Sequence, residues 1–208
     1  MRTAVLLLAA VVLASPVYAQ QTAQPEFRSF GYARLGYGAA FADRVGSAPA
    51  MGLGYRGEFK THALDISFLN FTIDSDAYDG GRVFAGSSLK LQVLRFLDPE
   101  ADRSMYIGGG LSWGHVSVGR DSPFGSYIPG WHGSGLQGEF STGYEFRGNT
   151  PLRVFLQADI GVPFFRAHSD AYGYRVGPTF VPVSRDHRYI PSAAVSFGMG
   201  WDARKRRR

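Results

Sequence analysis

Along most of this chain, apolar and polar residues alternate with a period of two. The cleanest run is 152–165. Leu152, Val154, Leu156, Ala158, Ile160, Val162 and Phe164 occupy one parity; Arg153, Gln157, Asp159 and Gly161 occupy the other, with Phe155 as the main exception. Successive side chains of a strand point to opposite faces, so the pattern predicts one apolar and one polar face. The run exceeds the roughly five or six residues usual for a strand and matches the 9–11 or so that a tilted strand needs to cross a bilayer.

Seven further runs repeat the pattern, at 27–41, 50–59, 62–73, 82–96, 105–118, 131–147 and 188–201. In the first, Ala33, Leu35, Tyr37 and Ala39 alternate with Tyr32, Arg34, Gly36 and Gly38. In the fourth, Leu89, Leu91 and Val93 alternate with Ser88, Lys90 and Gln92. In the last, Val195, Phe197, Met199 and Trp201 alternate with Ser196, Gly198 and Gly200. The connections alternate in length. Lys60-Thr61, 97–104 and 148–151 form a short set, while 42–49, 74–81, 119–130 and 166–187 form a longer one. Membrane barrels combine short periplasmic turns with longer extracellular loops. The prediction is an all-β, eight-stranded, antiparallel up-and-down transmembrane β-barrel over 27–201, with both termini at the periplasmic end. Pro163 and Pro191 fall near the loop ends of their strands, where a missing ladder donor does least harm.

Which face is inside decides the class. A soluble lipocalin-like barrel also alternates, but buries its apolar face. Here that face carries about four or five sizeable residues per strand, more than an eight-stranded interior holds. The other parity is rich in Gly and Ser, which suits a narrow lumen. Charged residues are 19% of the chain, below the roughly 25% of soluble domains. Outward-parity aromatics also gather at strand ends, with Phe59, Phe146 and Trp201 at one end and Tyr37, Phe41, Phe164 and Tyr189 at the other. Two such girdles mark bilayer interfaces.

Residues 1–19 read as a secretory signal peptide: a positive start at Arg2, an apolar run from Ala4 to Leu13, and small residues before Gln20. A polar lead-in spans 20–26 and a basic tail 202–208. The absence of cysteine excludes disulfides and thiolate metal sites. The formal net charge of +5 is misleading. Taking away Arg2 and the five basic residues of 204–208 leaves the body at −1. No basic face of the kind nucleic acid needs is present.

Inside the barrel, Arg34, Arg56, Lys90 and Arg153 would face Glu58, Asp65, Glu139, Glu145 and Asp159 as an ion network that plugs the lumen. Unpaired, each of these charges would cost several kcal/mol, on the order of the desolvation penalty of a buried ion. Arg120, Arg166, Arg175, Arg185 and Arg188 lie in or beside the outer loops and could form a rim for lipopolysaccharide phosphates. The tail could attract anionic headgroups. Nothing calls for a cofactor or a metal: 74–80 is only faintly like a calcium loop, with Ala85 where a bidentate Glu should stand.

The signal peptide, eight alternating strands, charged inner face and aromatic near the C-terminus together resemble the small outer-membrane barrels of the OmpA/OmpX type. The resemblance implies outer-membrane localisation, a monomer, and recognition of Phe197, Met199 and Trp201 by the barrel-assembly machinery, although here 202–208 follow the aromatic. It implies a non-enzymatic protein whose partners are outer-membrane lipids and lipopolysaccharide, with structural or adhesive loops. Two alternatives stand beside it. His115-Val116-Ser117 resembles a fragment of the His-x-Ser motif of outer-membrane lipid A deacylases, but Val118 replaces the expected Asn. The other alternative is a soluble periplasmic ligand-binding barrel.

Overall fold

The computed structural model describes residues 27–41, 45–73, 84–121, 127–146, 151–169, 173–176, 178–182 and 187–202. Eight long strands form the wall: β1 (Arg28–Phe41), β2 (Val45–Phe59), β3 (His62–Ile73), β4 (Phe84–Phe96), β5 (Arg103–Asp121), β6 (Tyr127–Phe146), β7 (Leu152–Pro163) and β12 (Ser192–Trp201). Each is antiparallel to the next in sequence, β7 pairs with β12, and β12 pairs back to β1 from Gly31 opposite Trp201 to Ala40 opposite Ser192. The sheet therefore closes and leaves no long edge exposed, which is the condition for spanning lipid with strands.

Side-chain alternation settles which surface is which. Leu156 and Val195 are 53% and 54% exposed on the outside. Arg34, Arg56, Asp65, Arg153 and Asp159 are buried inside. Apolar outside and ionic inside is the inverse of a soluble barrel, and it is what a hydrocarbon surround selects. All seven girdle aromatics lie exposed on the outer surface at the expected strand ends.

Several boundaries differ from the sequence pattern. β2 starts at Val45 rather than 50, shortening the expected 42–49 connection to 42–44. β5 and β6 reach 19 and 20 residues, beyond the expected 105–118 and 131–147. Their hairpin continues past a register shift between Val118 and Arg120, so much of the expected loop is strand. Proline ends two strands early. β7 stops at Pro163, and β12 starts only after Pro191. Within 166–187, read from sequence as a loop, lie β8 (Ala167–Ser169), β9 (Gly173–Val176) and β10 (Thr179–Pro182), followed by β11 (His187–Arg188). β8 pairs with both β6 and β11 and extends the wall at the loop end, while β9 and β10 form a separate hairpin.

The inner face is not uniformly polar, contrary to the expected Gly, Ser and charge. At the loop end Leu69, Phe71, Val116 and Ile190 pack with Ala40, Ala48, Ala50, Ala167 and Ala194, and Phe165 leans on them. Ala63, Leu94, Phe96 and Tyr106 form a second cluster, and Phe30, Tyr32 and Phe155 a third. A lumen this narrow is filled by side chains whatever their polarity. The inner glycines make the room: a Cβ on Gly54 would stand 2.3 Å from the Tyr32 ring, one on Gly143 2.3 Å from the Tyr106 ring, and one on Gly198 2.1 Å from the Phe155 ring. Each large ring is thus seated over a glycine of a neighbouring strand.

Candidate functional site

The nine ionic residues expected in the lumen are all buried there and fall into two connected layers. In the layer nearer the loop end, Arg34 Nη1 donates to Asp159 Oδ2 at 2.8 Å. Lys90 Nζ donates to Glu139 Oε2 at 2.7 Å and lies 3.7 Å from Asp159 Oδ1. The Ser112 hydroxyl donates to Glu139 Oε1 at 2.7 Å, and Ser141 donates to Asp159.

The second layer is built around Arg56. Its Nε donates to Asp65 at 2.9 Å, its Nη1 to Glu145 at 2.8 Å and its Nη2 to Gln157 Oε1 at 3.2 Å. Four aromatic rings enclose the same guanidinium, with its carbon 5.8 Å from the Phe30 ring centre, 5.5 Å from Tyr32, 5.0 Å from Tyr106 and 4.7 Å from Phe155. A planar, weakly hydrated cation tolerates this apolar enclosure where an ammonium would not. The Tyr32 hydroxyl donates to Asp65 at 2.7 Å and the Tyr106 hydroxyl to Gln157 at 2.8 Å. Gln157 joins the layers, since its Nε2 donates to Asp159 at 2.8 Å.

Toward the turn end, Arg153 lies 3.6 Å from Glu145 and 3.9 Å from both Glu58 and Asp202. Asp202 was assigned to the tail by sequence, yet it is buried, and its backbone N–H donates to Pro151 at 2.8 Å. Sequence reasoning also passed over Tyr32, Tyr106, Phe155 and Gln157 as members of the network. Their inner parity was the available signal, but an aromatic on a polar face reads as an exception until the cation beneath it is known.

At the loop end, Arg166 and Arg188 are exposed; Arg166 Nε donates to the Tyr189 hydroxyl at 3.3 Å with its guanidinium carbon 5.5 Å from that ring. Of Arg120 and Arg175 only the backbone positions, in β5 and β9, are described, and Arg185 lies outside the described residues. So do the 74–80 segment and the 204–208 basic run. Phe197, Met199 and Trp201 stand outward on β12, about half exposed, facing where lipid would be. His115 is exposed on the outer face opposite Ser134, and Ser117 lies opposite His132. Among the described residues no group of three His, Asp or Glu is gathered into a ready metal site. The Gly108-Gly109-Gly110 run lies within β5.

No protein-family model and no curated protein matches the chain. Solved structures do match. Neisserial surface protein A superposes with a TM-score of 0.58 at 10% identity, covering 84% of this chain and 96% of that one. The outer membrane protein OprG from Pseudomonas aeruginosa gives 0.54 at 12% identity, over 86% and 97%. Ail, the attachment invasion locus protein of Yersinia pestis, solved with the heparin analogue sucrose octasulfate, gives 0.50 at 14% identity, over 84% and 98%. The closed antiparallel topology agrees with these likenesses, and the chain has the fold of the small eight-stranded outer-membrane barrels.

Proposed function

We propose that this protein is a non-enzymatic, monomeric outer-membrane barrel whose lumen serves stability and whose loop end, facing outward from the cell, carries its role. The filled lumen carries this reading. Arg34, Arg56, Lys90 and Arg153 are engaged with carboxylates, and buried side chains line the interior from Asp202 to Ile190, which supports a filled lumen. A conducting pore needs a continuous aqueous path, which eight strands rarely leave. The chemistry available to partners then lies on the outside: lipid along the apolar wall, and phosphates of lipopolysaccharide at Arg166 and Arg188. Assembly would use Phe197, Met199 and Trp201 as the recognition surface for the insertion machinery. The leader at 1–19 supports export. A lipid A hydrolase is less favoured, because no carboxylate among the residues with described side chains joins His115 and Ser117 on the outer face.

Fractionation combined with planar-bilayer recording tests this. The expected result is a heat-modifiable band in the outer-membrane fraction and no steady conductance. Recovery in the aqueous periplasm, or regular porin-like steps, would sink it. For the rim, an Arg166→Ala, Arg188→Ala double variant should bind lipopolysaccharide vesicles more weakly than wild type; equal binding removes that part of the reading.

A further inference from the structure

The outer face at the loop end holds an arrangement that neither lumen nor lipid contact accounts for. The chain has five histidines. His132 on β6 stands directly opposite His168 on β8, and the backbone register sets His187 on β11 opposite His168 in turn. Three of the five thus occupy one row across three neighbouring strands. His132 and His168 are exposed, with ring centres 6.5 Å apart and planes inclined at 52°. Lipid is not their natural neighbour. On β5 and β6 the exposed large apolar residues end two rows lower, at Trp113 opposite Leu136.

From this geometry we propose that His132 and His168 form a binding site for a divalent transition-metal ion, on the outer wall where β8 joins β6. Directly opposed residues of an antiparallel pair have Cβ atoms about 4.5–5.5 Å apart, so two imidazoles can converge on one ion. With metal–nitrogen bonds of about 2.0–2.1 Å, rings sharing an ion lie at most roughly 6.5 Å apart, centre to centre. The pair stands at that limit. Imidazole donors select Cu2+, Ni2+ or Zn2+ over the oxygen-seeking Mg2+ and Ca2+. Water completes the coordination. The consequence is mechanical. Among the described residues β8 pairs with β6 through Trp131–Ser169 and His132–His168, so a shared ion would add a link between these two strands. The inference does not depend on the function proposed above.

The test uses tag-free, full-length barrel refolded in detergent and titrated with Cu2+. The expected electron paramagnetic resonance spectrum shows imidazole nitrogen couplings, and Zn2+ competes for the site. His132→Ala and His168→Ala should each weaken binding by a factor on the order of ten or more, as loss of a metal-positioning group does. His62→Ala, at the opposite end of the barrel, should leave binding unchanged. Both rings are exposed, so heat-modifiable mobility should stay intact in every variant. Copper bound without imidazole nitrogen, or equally well by both alanine variants, overturns the proposal. So does inorganic phosphate binding that is lost in His132→Ala while no nitrogen-ligated copper forms, which would mark an anion site.

Discussion

Arg56 lies against Phe155 inside the barrel, its guanidinium carbon 4.7 Å from the ring centre, and it donates to Asp65 and Glu145 from the other edges of the same group. The residue that broke the alternation of β7 is thus the floor of an arginine site. Removing the cation takes the closest counter-charge from two buried carboxylates, leaving Asp65 the Tyr32 hydroxyl and Glu145 the more distant Arg153. Arg56→Met is expected to destabilise the barrel by about 3–5 kcal/mol, the usual cost of breaking a buried pair from one side. Arg56→Lys should not restore stability, because an ammonium loses the planar fork and the stacking. Phe155→Leu should cost less, about 2 kcal/mol, for a desolvated cation–π contact. Urea unfolding in lipid vesicles, followed by tryptophan fluorescence, ranks the three.

Gly198 faces the same ring from β12. A methyl group there would stand 2.1 Å from Phe155 Cζ. Gly198→Ala should cost about 1–3 kcal/mol through overpacking. If the ring is the obstacle, the Gly198→Ala, Phe155→Leu double variant should lose less than the two single losses combined. Additive losses would show that the glycine serves something other than the ring.

The tightest turn between wall strands offers a gain instead. Lys60 in the two-residue connection from β2 to β3 has φ of 34°, in the left-handed region. That conformation costs a residue with a Cβ roughly 1–2 kcal/mol and glycine almost nothing. Lys60→Gly should raise the urea midpoint by a shift equivalent to about 1 kcal/mol, less a small entropic cost, with the denaturant slope unchanged. A lowered midpoint would count against a left-handed Lys60.

Orientation can be tested from the outside. Leu91 is exposed mid-strand, with Ile66 and Leu111 opposite it on either side. In a bilayer, Leu91→Arg should cost about 2–4 kcal/mol near the midplane. Leu97→Arg, exposed beyond the end of β4, should cost little. Equal small effects at both positions would mean that water, not lipid, surrounds the wall.

The period of two carried most of the fold, because a closed sheet between lipid and a narrow lumen makes every residue choose a side. Leu156, Arg56 and Asp159 followed that rule, so parity alone found the charged layers. It failed where a side is neither lipid nor polar. Leu69, Phe71, Val116 and Ile190 sit inside and apolar, and nothing in the pattern separates a packed lumen from a wetted one. It also failed at strand ends. Pro163 and Pro191 interrupt the ladder, and pairing resumes beyond them as β8 against β6 and β11 against β8, a continuation set by those cross-strand contacts rather than by local sequence. The two opposed histidines were invisible for a related reason, since cross-strand register is a property of the pairing and not of either strand.

The greasy band at one mouth makes the molecule asymmetric to ions. Among the described residues, an ion arriving from the loop end would pass Phe71, Val116 and Ile190 before reaching a buried charge of the lumen. One arriving from the turn end meets Asp202 and Arg153 at once. An ion crossing in either direction has to pass this band, so the loop-end layer insulates the bore both ways.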